Sequence, residues 1–334
     1  MNRGQGRADR YGFRELELHF ALISGQAGAC PGPDRPDASV TGPEEGPRDA
    51  LAERIAQLGQ RLGAPELAPP GAEVVERNLQ TDDLLALSRA ELVGAIELGH
   101  IYPVFQPQIS ARHGGIVGLE VLARWSDKGC EHAPDKFVES MAGHGVETLL
   151  MDHFLCACAR VQARFPRYHG RFSLNVNPRT AAAVDFIPVL LRASMSHGLD
   201  IARVVLELTE QTRLGCEGEA RLLENLNALS NRGMVISQDD FGAGYASLQA
   251  LGLLPFKQVK IDKTMLHRAR HAERARRLLS LSMELARSLE LQTVAEGVES
   301  DDDMALARSL GADLLQGFAI SAPVPLERLG ELAL

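Results

Sequence analysis

The chain has 334 residues, of which 45% are hydrophobic and 24% are charged, an ordinary composition for a globular protein. Its net charge of −9 argues against broad binding to nucleic-acid polymers, which requires a basic face. No apolar run reaches the roughly 18 residues needed to cross a bilayer, the first ten residues lack a secretory core, and the five cysteines contain no Cys-x-x-Cys pair. We therefore expect a cytoplasmic protein with reduced thiols and no membrane contact.

Residues 1–90 are predicted to form an N-terminal extension. From Gly25 to about Pro47 the chain is rich in Gly, Pro, Asp and Ser, which predicts a flexible linker because little apolar surface is available for burial. Apolar residues at steps of three and four predict a helix over 49–63 and a second over 81–98. Residues 91–334 are predicted to form one further domain.

In that second part, short β-rich runs alternate with helical patterns. Helical periodicity covers 222–229 and 275–289, and Ser300 is a good N-cap for a helix over 301–310. The eight candidate strands are Tyr102–Ile109, Ile116–Arg124, Arg171–Val176, Val204–Leu208, Met234–Asp239, Gln258–Ile261, Gln292–Ala295 and Leu314–Phe318.

This alternation over about 235 residues is typical of an α/β fold, here a modified TIM (β/α)8 barrel. A short Gly-rich turn, His113–Gly115, joins the first two strands. Such a turn suits a hairpin, so we expect one strand to run antiparallel.

Polar residues that can carry chemistry lie in or directly after these strands. Barrel enzymes build their sites from several strands at the C-terminal mouth. Oxygen ligands favour a hard cation such as Mg²⁺ or Mn²⁺, and two adjacent aspartates can bridge two ions about 3.5–4 Å apart. The residues are Glu120, Asn175, Glu207, Asp239, Asp240, Lys260, Glu296 and Gln316.

Structural interpretations remain open for each of these residues. Asp239 and Asp240 close to a glycine are also a turn signal, and Lys260 can be a surface charge. Single carboxylates at strand ends are often helix caps or ion-pair partners. The joint pattern is harder to explain by structure alone, and it favours a metal site.

The chain resembles the EAL domain family in an ordered set of motifs at family-like spacing. The segment Glu120-Val121-Leu122 is similar to the Glu-Ala-Leu signature of that family. The other matching segments are Phe105–Gln108, Asn175–Asn177, Glu207–Glu210, Asp239–Tyr245, Lys260–Asp262, Glu296–Glu299 and Gln316–Gly317.

The resemblance implies a modified TIM barrel that hydrolyses cyclic di-GMP to linear pGpG with two Mg²⁺ or Mn²⁺ ions per active site. It implies that Lys260, Asp240, Glu296 and Gln316 act in catalysis. The implied metal ligands are Glu120, Asn175, Glu207, Asp239, Asp240 and Glu296.

Further roles are implied around this centre. The substrate-binding residues would be Gln106, Leu122, Arg124, Asp262 and Gln316. Glu210, Phe241 and Gly242 would belong to a loop that couples the site to a homodimer interface.

The sequence departs from the family pattern at several positions. Val121 replaces an Ala of the signature, Ala243 replaces a Thr, Ala246 replaces a Ser, and Asn177-Pro178 stands where Ser-Ala is usual. None of these changes removes an implied metal ligand. They put the ordering of the loop and the rate in question more than the chemistry.

Other functions stay open. The chain can be a cyclic di-GMP sensor without turnover, although such relatives usually lose several metal ligands. It can also be a protein-interaction regulator, or a two-metal barrel hydrolase unrelated to this family.

Overall fold

A computed structural model describes residues 87–334, except 128–129, 133, 135–136, 210–213, 242–245 and 333. The predicted linker and the helix over 49–63 lie outside the described residues, and the division at residue 90 stays a prediction. No helix among the described residues combines the length and apolarity that a membrane-spanning segment needs.

The strands of the described part follow the predicted order, with two additional short ones. They are β1 (Ile101–Ser110), β2 (Ile116–Asp127), β3 (Cys130–His132), β4 (Arg171–Val176), β5 (Val204–Leu208), β6 (Val235–Phe241), β7 (Gln258–Ile261), β8 (Gln292–Ala295), β9 (Leu314–Leu315) and β10 (Val324–Pro325).

Helices follow most of these strands. They are α1 (Arg89–Glu97), α2 (Val138–His144), α3 (Glu147–Arg164), α4 (Pro178–Ala181), α5 (Phe186–His197), α6 (Cys216–Ser230), α7 (Ala246–Leu253), α8 (Lys263–His271), α9 (Glu273–Ser288) and α10 (Asp301–Ser309), with short 3-10 turns at Ile201–Arg203 and Leu326–Glu331.

Eight strands close into a barrel in the order β1-β9-β8-β7-β6-β5-β4-β2, and pairing of β1 with β2 completes the ring. β1 is antiparallel to both of its barrel neighbours, whereas β2 and β4 to β9 pair in parallel. The predicted barrel and its antiparallel strand are therefore confirmed. β3 extends the β2 edge, and β10 pairs with β1.

The β1–β2 hairpin turns at Gly114, whose φ of 73° lies in the left-handed region that glycine adopts without strain. Ser110 N–H donates to Gly115 O, and Gly114 N–H donates to Ser110 O. The register shifts by one residue between Ile109 and Gln108, and beyond this shift Gln106 pairs with Glu120.

The predicted helix over 81–98 is not continuous at Ser88, and its part over 81–86 lies outside the described residues. Ser88 has extended backbone angles, and its hydroxyl accepts from Glu91 N–H while the Glu91 carboxylate accepts from Ser88 N–H, so α1 begins at Arg89. This capping box is incompatible with a continuous helix through Ser88. The predicted cap at Ser300 is confirmed, since its hydroxyl accepts from Asp303 N–H.

Four predicted strand ends differ. β1 and β2 end at Ser110 and Asp127 rather than at Ile109 and Arg124, and the other two differences affect site residues. β6 runs to Phe241 rather than ending at Asp239, and β9 ends at Leu315, so Gln316 follows the strand. The strand ends early because the backbone turns onto the loop after β8: Val298 N–H donates to Gln316 O, and Ala319 N–H donates to Val298 O.

Candidate active site

Lys260 lies at the centre of a cluster of carboxylates inside the mouth of the barrel. Its side chain is 2% exposed, and its Nζ atom lies 3.2 Å from Glu120 Oε1 and 2.7 Å from Glu207 Oε2. The same Nζ lies 3.1 Å from Asp239 Oδ1 and 2.8 Å from Glu296 Oε1. Side chains from β2, β5, β6, β7 and the residue after β8 therefore meet at one ammonium group.

The strand register explains this convergence. Glu207 on β5 is paired with Asn175 on β4, and with Ser237 on β6. Because side chains two residues apart share one face of a strand, Asp239 follows Ser237 on the same face. Lys260 on β7 pairs with Val294, and Glu296 lies two residues beyond Val294. Period-2 alternation thus places all these groups on the inner face near the C-terminal ends.

Asp240 breaks that alternation. Its φ of 52° is left-handed, and the β6–β7 register shifts between Gln238 and Phe241. In a regular strand, Asp239 and Asp240 would point to opposite faces. With this bulge, single carboxylate oxygens of Asp239, Asp240 and Glu296 lie within 4.8 Å of one another. Bulges next to active sites commonly redirect a side chain in this way.

A set of amides orients Glu120. Asn175 Nδ2 donates to Glu120 Oε1 at 3.0 Å, and Gln316 Nε2 donates to Glu120 Oε2. Gln316 also donates to Gln106 Oε1 at 3.0 Å and accepts from Gln108 Nε2 at 2.9 Å. Both oxygens of Glu120 are therefore fixed by groups from β4 and from the segment after β9.

Gly118 makes room for this amide network. A Cβ atom at this position would lie 2.5 Å from Gln108 Oε1. Since Gln108 and Gly118 face each other across the hairpin register, a larger residue would displace the Gln108 side chain from Gln316.

The charges within the cluster differ in their tendency to ionise. Burial raises the pKa of Glu120, but Lys260 and the hydrogen bonds from Gln316 and Asn175 outweigh burial, so its pKa lies below the ordinary value. Burial alone would lower the pKa of Lys260, yet the surrounding carboxylates raise it well above its usual range. Lys260 and Glu120 therefore form the ionised core of the cluster.

Three other carboxyl groups of the cluster have raised pKa values, so they ionise less readily than Glu120. Burial, together with the nearby Glu120 and Asp239 charges, raises the pKa of Glu207 well above its ordinary value. Burial raises the pKa of Glu296 to about 8 despite the Lys260 ammonium. Burial and the Asp239 charge also raise the pKa of Asp240. A single ammonium does not balance this many acidic groups, and additional positive charge would favour their ionised forms.

The donor set fits divalent cations with a preference for oxygen. Among the described residues, the ion pairs of Glu120, Glu207, Asp239 and Glu296 are all with Lys260. Glu207 Oε1 is buried and has no hydrogen-bond donor in the described part of the chain. A buried carboxylate oxygen without a donor is costly unless a cation contacts it. Mg²⁺ and Mn²⁺ match a site of carboxylate and amide oxygens.

Three predicted substrate residues, Leu122, Arg124 and Asp262, make no described ion pair with the cluster. Arg124 Nη1 donates to Ala123 O at 2.8 Å, and the guanidinium is partly buried. Leu122 lines a cavity beside Asn175. Asp262 caps α8, where it accepts from Thr264 N–H at 2.9 Å. The fourth, Gln106, is part of the amide network and donates from Nε2 to Ser321 O at 3.2 Å.

The predicted loop residues are only partly described. Phe241 is buried at the end of β6 and pairs with Ile261 of β7. Glu210 and Gly242 lie outside the described residues, as does Ala243. Their roles in a dimer remain predictions.

Two polar residues at or beside this centre were not found from the sequence. Gln108 belongs to the amide network, and its position two residues after Gln106 on one strand was an available signal. Glu147 lies in the wall of the adjoining cavity, at the start of α3. No spacing in the sequence connects Glu147 with the strand residues.

Known proteins are similar to this chain in sequence and in fold. Over 279 residues the chain is 30% identical to "Cyclic di-GMP phosphodiesterase RocR" of Pseudomonas aeruginosa, covering 82% of this chain and 68% of the relative. It is also 30% identical to "Bifunctional diguanylate cyclase/cyclic di-GMP phosphodiesterase MucR" of the same species, covering 72% of this chain but 35% of the relative. The chain thus spans about a third of the length of that relative.

A solved structure described as "PaMucR Phosphodiesterase, c-di-GMP complex" superposes with a TM-score of 0.65 at 30% identity, covering 72% of this chain and 98% of that one. Residues 89–323, which include all the site positions described above, match the family described as EAL domain. The chain therefore belongs to the EAL domain family.

Proposed function

We propose that this chain is a phosphodiesterase that hydrolyses cyclic di-GMP to linear pGpG with two Mg²⁺ or Mn²⁺ ions. The observation that carries the proposal is the convergence of Glu120, Glu207, Asp239 and Glu296 on Lys260, with Asp240 turned toward them by the bulge. The choice of cyclic di-GMP as the substrate is based on relatives that are named as cyclic di-GMP phosphodiesterases.

The residues divide into two ligand groups. Glu120, Asn175, Glu207 and Asp239 would hold the first ion, and Asp239, Asp240 and Glu296 would hold the second. When bound there, such ions would supply Lewis-acid chemistry, by lowering the pKa of a bound water molecule and offsetting negative charge on the phosphate oxygens.

Lys260 supplies a fixed positive charge next to these groups. Its Nζ atom lies 2.7–3.2 Å from oxygen atoms of Glu120, Glu207, Asp239 and Glu296, so it is placed to donate hydrogen bonds and to orient oxygen atoms at the centre. Gln316 and Asn175 hold both oxygens of Glu120 in place, which fixes the orientation of that carboxylate. Burial of Lys260 and Glu207 excludes water from the floor of the site.

Arg124 and Leu122 would contact the substrate beside this centre. The one described hydrogen bond of the Arg124 guanidinium goes to Ala123 O, so its fork can still donate to a phosphate. The proposal also includes the division into a 1–90 extension and a catalytic domain, and a homodimer. The division rests on the change in composition and sequence pattern, and the homodimer rests on the family resemblance.

Turnover of purified full-length protein tests this function. Incubation with cyclic di-GMP and Mg²⁺ or Mn²⁺ is expected to yield pGpG, and chelation with EDTA is expected to stop it. Glu120→Ala is expected to abolish turnover, and Glu284→Ala, which changes an exposed glutamate on α9, serves as the control. Cyclic di-GMP binding without turnover by the wild type would support a sensor instead, and turnover by Glu120→Ala would contradict the ligand assignment.

A further inference from the structure

A cavity of about 480 Å³ adjoins the carboxylate cluster. Its walls include Asn175, Asp239 and Asp240 of the active site. They also include apolar side chains from β2, α2 and α3, among them Leu122, Met141, Leu150, Met151 and Phe154. This volume lies within the range of about 300–1000 Å³ that small-molecule pockets occupy, and such pockets are mostly apolar with a few placed polar groups.

Glu147 is the acidic group of this cavity that the hydrolytic mechanism does not use. It is partly buried at the start of α3 and lines the cavity with the apolar residues. Thr180 Oγ1 donates to Glu147 Oε2, and the described residues provide no donor to Glu147 Oε1. Burial raises the pKa of Glu147 to about 7, as expected for a carboxyl group in apolar surroundings.

A carboxylate with a free acceptor face in an apolar cavity selects a specific kind of ligand. Flat rings pack well against apolar walls, and an ionised carboxylate accepts two hydrogen bonds from adjacent N–H donors. Guanine presents such a pair on its Watson–Crick edge, at N1–H and at the 2-amino group. Adenine presents an acceptor at N1, which opposes a carboxylate oxygen.

We infer that this cavity receives one guanine base of the substrate and that Glu147 reads its Watson–Crick edge. The inference rests on the proposed function, because the adjoining Asn175, Asp239 and Asp240 would hold the ions at the phosphate. Thr180 is a positioning residue for Glu147. It lies in α4, which follows the Asn177 cap at the end of the strand that carries Asn175.

Substrate analogues that differ only on the Watson–Crick edge of the base show whether Glu147 recognises the base or has only a structural role. Cyclic di-IMP carries hypoxanthine, which lacks the 2-amino group of guanine but keeps N1–H. KM and kcat are measured for both dinucleotides with the wild type, Glu147→Gln, Thr180→Val and the control Glu224→Gln, which changes an exposed glutamate on α6. Equilibrium binding of both dinucleotides in Ca²⁺, which takes the same kind of oxygen ligands, gives a second readout.

The wild type is expected to favour cyclic di-GMP over cyclic di-IMP by about tenfold to hundredfold in KM, the range for a hydrogen bond to a charged group. Glu147→Gln is expected to remove most of this preference because it weakens the binding of cyclic di-GMP. Its effect on kcat is expected to be smaller. Thr180→Val is expected to reduce the preference in part, and it tests the inference if Glu147→Gln does not fold. Glu224→Gln should match the wild type.

If Glu147→Gln weakens the binding of both dinucleotides equally, or leaves the preference for cyclic di-GMP over cyclic di-IMP unchanged, the inference is overturned. Either result would leave the proposed hydrolysis intact. A wild type that binds both dinucleotides with a Glu147-dependent preference but produces no pGpG would overturn the hydrolysis and support the base site. A wild type that binds neither dinucleotide would contradict both.

Discussion

Lys260 Nζ and Glu207 Oε2 are 2.7 Å apart, and both side chains are buried inside the barrel. The pair joins β7 to β5 across the intervening strand β6. Because the second oxygen of Glu207 has no donor among the described residues, the lysine satisfies only half of this carboxylate. The pair therefore marks a centre built for more positive charge than the described side chains provide.

Replacement of Lys260 by Met is expected to affect both stability and turnover. It leaves four carboxylates without their ammonium partner, and removal of one member of a buried ion pair costs about 3–5 kcal/mol. In EDTA the free energy of unfolding is expected to fall by this order, and added Mg²⁺ should restore part of it. Turnover should fall by about 100-fold or more.

Urea unfolding with and without Mg²⁺ measures the first effect, and Lys257→Met, which changes an exposed lysine just before β7, is the control. Equal stability of Lys260→Met and Lys257→Met in EDTA would show that the carboxylates do not depend on Lys260.

The left-handed backbone at Asp240 predicts different effects for two substitutions. Asp240→Asn keeps a side chain that tolerates this conformation, so its stability should remain within about 0.5 kcal/mol of the wild type while turnover is lost. Asp240→Val places a β-branched residue at φ 52° and should cost about 1–3 kcal/mol in stability as well. Thermal unfolding and pGpG release distinguish the two, and equal melting temperatures for both variants would argue against the bulge.

The raised pKa of Glu147 predicts that the stability of the protein depends on pH. Burial raises the folded-state pKa of this carboxyl group to about 7 from an ordinary value of 4.5, so the folded protein binds the proton more tightly than the unfolded chain. The wild type should lose this contribution as the pH rises from about 4.5 through about 7, whereas Glu147→Gln should not. Relative to the wild type, the variant should gain about 1–3 kcal/mol between pH 4.5 and 8, reduced by the partial exposure of the group.

Urea unfolding of the two proteins across this pH range, in EDTA, gives the difference directly. Glu284→Gln is the matched control at an exposed position of α9. A gap between Glu147→Gln and the wild type that stays constant with pH would show that burial does not shift this carboxyl group.

Much of the barrel could be predicted because local patterns and the tertiary structure agree. The turn at Gly114 determines the antiparallel hairpin, and the alternation along β4 and β5 places Asn175 and Glu207 on one inner face. The same period-2 rule brings Lys260 and Glu296 to the mouth of the barrel. These positions depend on neighbours in the sequence and on regular strand pairing.

The features that could not be predicted depend on contacts distant in sequence or on a break in regular geometry. Alternation would separate Asp239 from Asp240, and only the left-handed backbone of Asp240 brings them together. Gln316 leaves β9 because of backbone hydrogen bonds with Val298. Glu147 reaches the cavity through the packing of α3, which no strand pattern encodes.

Anomalous diffraction from crystals grown with Mn²⁺ shows most directly whether carboxylates from separate strands hold two divalent cations. Two manganese peaks are expected, one among Glu120, Asn175, Glu207 and Asp239, and one among Asp239, Asp240 and Glu296. An anomalous map without a peak among these side chains, from crystals in which they are well ordered, would contradict this expectation.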